Sequence, residues 1–304
     1  MLSRASDALR KMTSTVHRFP HYDPASHYDL RIFDVEFRRD GDEVWMARVY
    51  QPEGQGPFPA MLDVHGGAWT DDNRMGNALV DEVLAASGVM IVAIDLRSAP
   101  KHVYPALVAD VNLGIRWLKA HAADFNAVPD HIGAFGSSSG GHLVELAGMR
   151  PFDPRYCVLP LPDHEDVDAT IDYLIGRGPI SAPDLRNEYA RQIGREYLAE
   201  RTMRFFDPPE TIREGNPLYI LERGESVHLP PFLILQGGAD TNILESVQAR
   251  FVAAYRAAGG EVQYEVFPGV PHKFIVDPGP EQDRAFEVAK AFIAQQVTAP
   301  APAR

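Results

Sequence analysis

The chain has 304 residues, 45% of them apolar and 23% charged. At that length roughly three quarters of the unfolded surface is buried on folding, so neither disulfides nor metal are needed for stability, and collagen-like, disordered and disulfide-scaffold classes are excluded by composition. The 42 acidic residues against 29 basic ones give a formal net charge of −13, a field that repels phosphate backbones and anionic bilayers, so neither nucleic acid nor a membrane is expected as a partner.

Cys157 is the sole cysteine, which rules out an internal disulfide or a thiolate metal cluster and fits a reducing compartment. Arg4, Asp7, Arg10, Lys11, His17 and Arg18 are spaced too densely for a signal-peptide core. No apolar run approaches the ~18–20 residues of a membrane span. A soluble, cytoplasmic protein is the expectation. Residues 1–28 read as a polar arm, 29–297 as the folded body and 298–304 as a flexible tail.

In chain order, Phe33, Val35 and Phe37 alternate with Asp34, Glu36 and Arg38, the period of a strand with one wet face. Asp40, Gly41 and Asp42 supply a turn, and 44–50 completes a hairpin. The runs 60–64 and 89–94 are almost wholly apolar, as strands covered on both faces should be. Val108, Val111, Ile115 and Leu118 step along one helix face. Further strands are expected at 131–135, 169–175, 232–235 and 262–267, with helices at about 243–258 and 281–296. A hairpin followed by alternating strands and helices predicts an α/β architecture: an open, mostly parallel eight-stranded sheet with helices on both faces. Two stretches break the alternation, proline-rich 151–168 and charged, aromatic 183–228. Both are expected to leave the sheet at strand carboxyl ends and to form a small inserted cap over a ligand crevice.

The most informative motif is Gly136-Ser137-Ser138-Ser139-Gly140, between an apolar run and a helical stretch. G-x-S-x-G at a strand-to-helix junction holds its central serine in a strained turn, hydroxyl clear of the sheet and beside the helix N-terminus. A weakly acidic alcohol needs a base, and the base an orienting acid. Asp240 follows the 232–235 strand and His272 follows the last strand, so both are expected on loops at the sheet edge that carries Ser138. Asp277 and Asp283 come after His272 and break the order serine, acid, histidine. His65-Gly66-Gly67-Ala68-Trp69 follows the 60–64 strand. Its adjacent glycines let backbone N–H groups approach a developing oxyanion, with Gly66, Gly67 and Ser139 as the expected donors. His65, Trp69 and His142 are candidate pocket walls, with packing as the competing reading of Trp69 and His142.

Taken together, these motifs resemble those of the α/β-hydrolase superfamily, and more narrowly the hormone-sensitive-lipase-like, feruloyl esterase-like and kynurenine formamidase-like enzymes. Asp95-Leu96-Arg97-Ser98-Ala99-Pro100 followed by Tyr104-Pro105-Ala106 is similar to a stretch of that group. Leu96 stands where tyrosine is usual, Ser139 where alanine is common, and Gln236 where histidine is frequent. The resemblance covers about 45–295. It implies a serine hydrolase cleaving a carboxylic ester with a short acyl chain, through Ser138, His272 and Asp240, on a small-molecule substrate and with no metal or organic cofactor. Amide hydrolysis on the same triad, or a non-catalytic receptor on a hydrolase scaffold, are the alternatives.

Overall fold

A computed structural model describes residues 22–298. Most of the expected arm and nearly all of the expected tail lie outside the described residues.

The hairpin is β1 (Leu30–Asp40) and β2 (Glu43–Pro52), antiparallel, with a bulge between Glu36 and Arg38. The remaining strands are β3 (Phe58–Val64), β4 (Met90–Ile94), β5 (Ala127–Ser137), β6 (Tyr173–Arg177), β7 (Phe232–Gly237) and β8 (Val262–Phe267). They form one sheet in the order β1-β2-β4-β3-β5-β6-β7-β8, parallel from β4 through β8.

Strand side chains alternate between two cores. Leu62, Val92, Ala134, Leu174 and Ile234 enter one, against Val108 and Val111 of α2 (Ala106–His121), Leu143 and Val144 of α3 (Ser139–Met149) and Phe251 of α8 (Glu245–Ala257). Met61, Ile91, Phe135, Ile175 and Leu233 enter the other, against Val80 and Leu84 of α1 (Ala78–Ala86) and Phe286 and Ile293 of α9 (Pro280–Thr298). Both faces are therefore apolar along each central strand, which explains the unbroken runs in the sequence.

The strand order reverses around β3, with β4 on one side and β5 on the other. Loops leaving the carboxyl ends of β3 and β5 diverge there, and the crevice between them is where open α/β sheets place their ligands. The expected cap at 183–228 contains α4 (Pro183–Gln192), α5 (Glu196–Phe205), α6 (Thr211–Glu214) and α7 (Pro217–Glu222), and leaves the carboxyl end of β6. The other irregular stretch departs from expectation. It joins the end of α3 to the start of β6 and runs along α2, where Asn112 and Arg116 donate to the carbonyls of Pro151 and Leu159 and Lys119 pairs with Asp168. It therefore packs beside a helix rather than leaving a strand's carboxyl end.

Candidate active site

Five strands deliver residues to one sheet edge. Ser138 follows β5 directly, with φ 54° and ψ −116°, a region of backbone space costly for any residue with a Cβ. The turn is fixed from three sides. Ser138 N–H donates to the Arg177 carbonyl at the end of β6 (3.0 Å), while its own carbonyl accepts from Ile180 (3.1 Å) and His142 (3.2 Å). A Cβ at Gly140 would come within 2.1 Å of the Val64 carbonyl oxygen, so the start of α3 packs directly on the backbone leaving β3 and admits only glycine there.

On the next loops, His272 Nδ1 and Asp240 Oδ2 are 2.6 Å apart, and Asp240 has no exposed side-chain surface. The second carboxylate oxygen accepts from the N–H groups of Asn242 (2.7 Å) and Ile243 (2.9 Å). Burial pushes the Asp240 carboxyl up, but the His272 hydrogen bond and charge, with those two backbone donors, carry it below the ordinary carboxylate range. An ionised acceptor requires the proton on Nδ1, which leaves Nε2 as the free lone pair. Burial also depresses the His272 imidazolium; Asp240 opposes this, but the positive charges of Arg177 and Arg186 add to it, and the net direction is below the usual histidine value. At neutral pH the pair is thus carboxylate and neutral imidazole.

The ring of His272 lies against Gly178, the residue after Arg177. A Cβ on Gly178 would stand 3.0 Å from His272 Cε1. Arg177 Nη1 donates to the His272 carbonyl at 2.7 Å, so one buried side chain and its backbone tie the histidine loop to the serine turn. The expected Ser138, Asp240 and His272 are brought to this one edge.

The loop after β3 supplies the other wall. The carbonyl of Gly66 accepts from His65 Nδ1 (3.0 Å), and that of Gly67 from Thr70 and Asp71 (3.2 Å each). With the carbonyls turned into the loop, the Gly66 and Gly67 N–H groups take no hydrogen-bond acceptor among the described residues. Gly66 adjoins Ser138, since a Cβ on it would lie 3.4 Å from Ser138 Cβ. Ser139, the first residue of α3, offers one of the unsatisfied N–H groups of a helix start. His65 and Trp69, with Gly66 and Ser139, line a shallow recess.

His142 turns out to be a packing residue rather than a pocket wall. It is fully buried; Nδ1 accepts from Trp69 Nε1 (3.2 Å) and Nε2 donates to the Gly215 carbonyl (2.8 Å). Burial lowers its pKa to about 4 and keeps it neutral. Trp69 stacks on Phe205 of α5 (5.0 Å between centroids, 5° between planes) and meets Phe206 edge-on. This cluster joins the end of α5 to the β3 loop.

Several residues of the site were not anticipated from sequence. Asn77 bridges Asp63 of β3 (2.8 Å) to Ser137 of β5 (2.8 Å) just below the serine turn, and burial lifts Asp63 to about 7. Gln236 donates to Asp240 Oδ2 (3.4 Å) and to the Ile243 carbonyl (3.1 Å). Arg177 and Arg186 carry no motif signal at all.

A strained serine at a strand-to-helix turn, a carboxylate-bonded histidine and a glycine loop with free N–H groups, on this strand order, define the α/β-hydrolase fold class. Solved structures agree on the fold. Esterase 2 of the Planctomycetes species Thermogutta terrifontis, with propionate bound, superposes with a TM-score of 0.69 at 23% identity, covering 91% of this chain and 97% of its own. Esterase B from Lactobacillus Rhamnosis superposes with a TM-score of 0.72 at 17% identity, covering 97% and 93%. The BD-FAE family model matches residues 48–253, and the chain belongs to that family. Esterase LipC of Mycobacterium tuberculosis is 33% identical over 225 residues, 72% of this chain and 53% of LipC. The probable isoprenylcysteine alpha-carbonyl methylesterase ICMEL1 of Arabidopsis thaliana is 24% identical over 76% of this chain and 49% of its own length. The chain spans about half the length of these curated relatives.

Proposed function

We propose that the protein is a serine hydrolase cleaving a carboxylic ester of short acyl chain, a small-molecule substrate, with Ser138 as nucleophile, His272 as general base and acid, and Asp240 as its orienting carboxylate. The observation that carries this reading is the 2.6 Å His272–Asp240 bond on loops flanking a serine held at φ 54°. The esterase names of the curated relatives support it.

In the acylation step His272 Nε2 takes the Ser138 proton as the hydroxyl oxygen attacks the ester carbonyl. The tetrahedral oxyanion receives hydrogen bonds from the N–H groups of Gly66, Gly67 and Ser139, each such donor being worth roughly 10²–10³ in rate. Collapse returns the proton from imidazolium to the leaving alcohol. Water then repeats the sequence on the acyl-serine, releasing the acid and restoring Ser138. Asp240, ionised throughout, stabilises the transient imidazolium and fixes its tautomer. Of the two stretches expected to form the cap, 183–228 leaves the carboxyl end of β6 and encloses the substrate, while 151–168 packs along α2 and takes no part.

Ser138→Ala is expected to lower turnover of a p-nitrophenyl short-acyl ester by about 10⁴-fold or more with an unchanged circular dichroism spectrum. Turnover retained in the purified, folded variant would overturn the assignment.

A further inference from the structure

Burying a guanidinium is costly unless a carboxylate compensates it. Among the buried arginines Arg150 meets that requirement, pairing with Glu214 (2.5 Å) and Glu225 (2.7 Å). Arg116 and Arg177 bond only to neutral oxygens, and so does Arg186 of α4. It is 4% exposed, yet its hydrogen bonds go only to neutral oxygens: Nε to Asn242 Oδ1 (3.0 Å), and Nη1 to Thr202 Oγ1 (2.6 Å) and the Leu198 carbonyl (3.3 Å). Nη2 donates to no acceptor among the described residues. Asp240, the acid whose charge reaches Arg186, already has its oxygens taken by His272 and by the backbone of Asn242 and Ile243. Burial accordingly pulls the guanidinium down to about 10.

The position of this uncompensated cation is what gives it a function. Asn242, its partner, is two residues beyond Asp240. Its guanidinium carbon also lies 5.8 Å from the ring centroid of Trp69, on the loop after β3. Arg186 therefore spans the two loops that bound the crevice over Ser138. It is also the one charged residue lining a shallow recess, whose other walls include Ile180, Leu185, Tyr189, Ile243 and Val247. Ile180 donates its N–H to the Ser138 carbonyl and Ile243 to Asp240 Oδ1, so two of its wall residues stand one hydrogen bond from the serine turn and the acid. Apolar walls with one buried cation match a short aliphatic chain ending in an anion.

We propose that Arg186 is a binding residue for a carboxylate carried by the ester substrate, making the preferred substrate a short ester with a second, ionised carboxyl group. This rests on the serine-hydrolase reading above. The carboxylate could belong to the acyl half, as in a half-ester of a dicarboxylic acid, or to the alcohol half, as in an O-acyl hydroxy acid. In either case water adds across the ester bond, and the alcohol and carboxylic acid part with release of one proton at neutral pH.

The test is kcat/KM by pH-stat titration in two arms. The first compares monomethyl glutarate with dimethyl glutarate, the second 4-acetoxybutanoate with butyl acetate. The expected result is a preference of about tenfold or more for the anion in at least one arm, the scale of a hydrogen bond to a charged group. Arg186→Gln should abolish that ratio and Arg186→Lys should retain part of it; the ratio is internal to each variant and so is independent of any general loss of activity. The wild-type comparison stands even if both variants fold poorly. Hydrolysis of the neutral esters at equal or higher efficiency in both arms overturns the proposal and leaves the serine-hydrolase reading intact. Failure to hydrolyse any of the four esters, together with no reaction of Ser138 with a fluorophosphonate, overturns both.

Discussion

Ser138 is held at φ 54° by hydrogen bonds to Arg177, Ile180 and His142, at a conformational cost on the order of 1–3 kcal/mol. A strained residue persists only where its surroundings over-determine it, and here those surroundings are the end of β6 and the start of α3. The same Arg177 that fixes the serine turn also holds the His272 carbonyl, and its charge works against protonation of the imidazole. This sets the pH dependence. In the proposed mechanism His272 must be neutral to accept the serine proton, so the rate is expected to rise with pH through its pKa. Because burial and the two arginines lower that pKa, the acid limb of kcat/KM should lie below the ordinary histidine value of about 6.5. A pH–rate profile on a neutral short ester checks this. An acid limb at or above 6.5 would contradict the electrostatic reading of His272.

Among the elements, α5 is held to the β3 loop by a few aromatic contacts. Phe205 ends α5, stacks on Trp69, and through its carbonyl accepts the Tyr104 N–H (2.8 Å). Phe205→Ala should cost about 3–5 kcal/mol in a thermal or denaturant melt, as buried Phe truncations do, and should lower kcat/KM because Trp69 belongs to the loop that carries Gly66 and Gly67. An unchanged melting midpoint would show that α5 is anchored elsewhere. The elements differ in how far the sequence revealed them. The β3 and β4 runs and the period of α2 were legible because each buries a continuous or one-sided apolar surface. Helix α1 was not anticipated: it is only nine residues long and Asp81 interrupts its apolar stripe while itself being buried. The strand expected at 169–175 runs instead over Tyr173–Arg177; just before it, Asp172 is tied to Ile132 through both its N–H (2.9 Å) and its carboxylate (3.0 Å). Ser138, Asp240 and His272 were legible because motif and chain order limit the choice. Arg177 and Arg186 were not, since an arginine in a sequence reads as solvent-facing until the packing is known.

For the whole molecule, several buried ionisable groups tie stability to pH. Glu145 of α3 is fully buried, accepts from Ser181 Oγ (2.7 Å), and is raised from 4.5 to about 8 by burial. A carboxyl raised on folding binds its proton more tightly in the native state, so its contribution is complete below pH 4.5 and is lost as pH rises towards 8. Glu145→Gln keeps the shape and removes the titration. Relative to wild type it should therefore gain stability with rising pH, by up to about 1.4 kcal/mol per unit between those values. Paired melts at pH 5, 6.5 and 8 read this directly, and a difference independent of pH would refute the burial argument. No helix among the described residues is long and apolar enough to cross a membrane.

The convergence of three distant loops on one sheet edge is tested most directly by intact-protein and peptide mass spectrometry after exposure to a fluorophosphonate. A single adduct on Ser138 is expected, absent from Ser138→Ala and strongly slowed in His272→Ala. A folded wild-type protein that stays unlabelled, or takes the probe at another residue, would contradict the assignment of Ser138, His272 and Asp240 as one reacting unit.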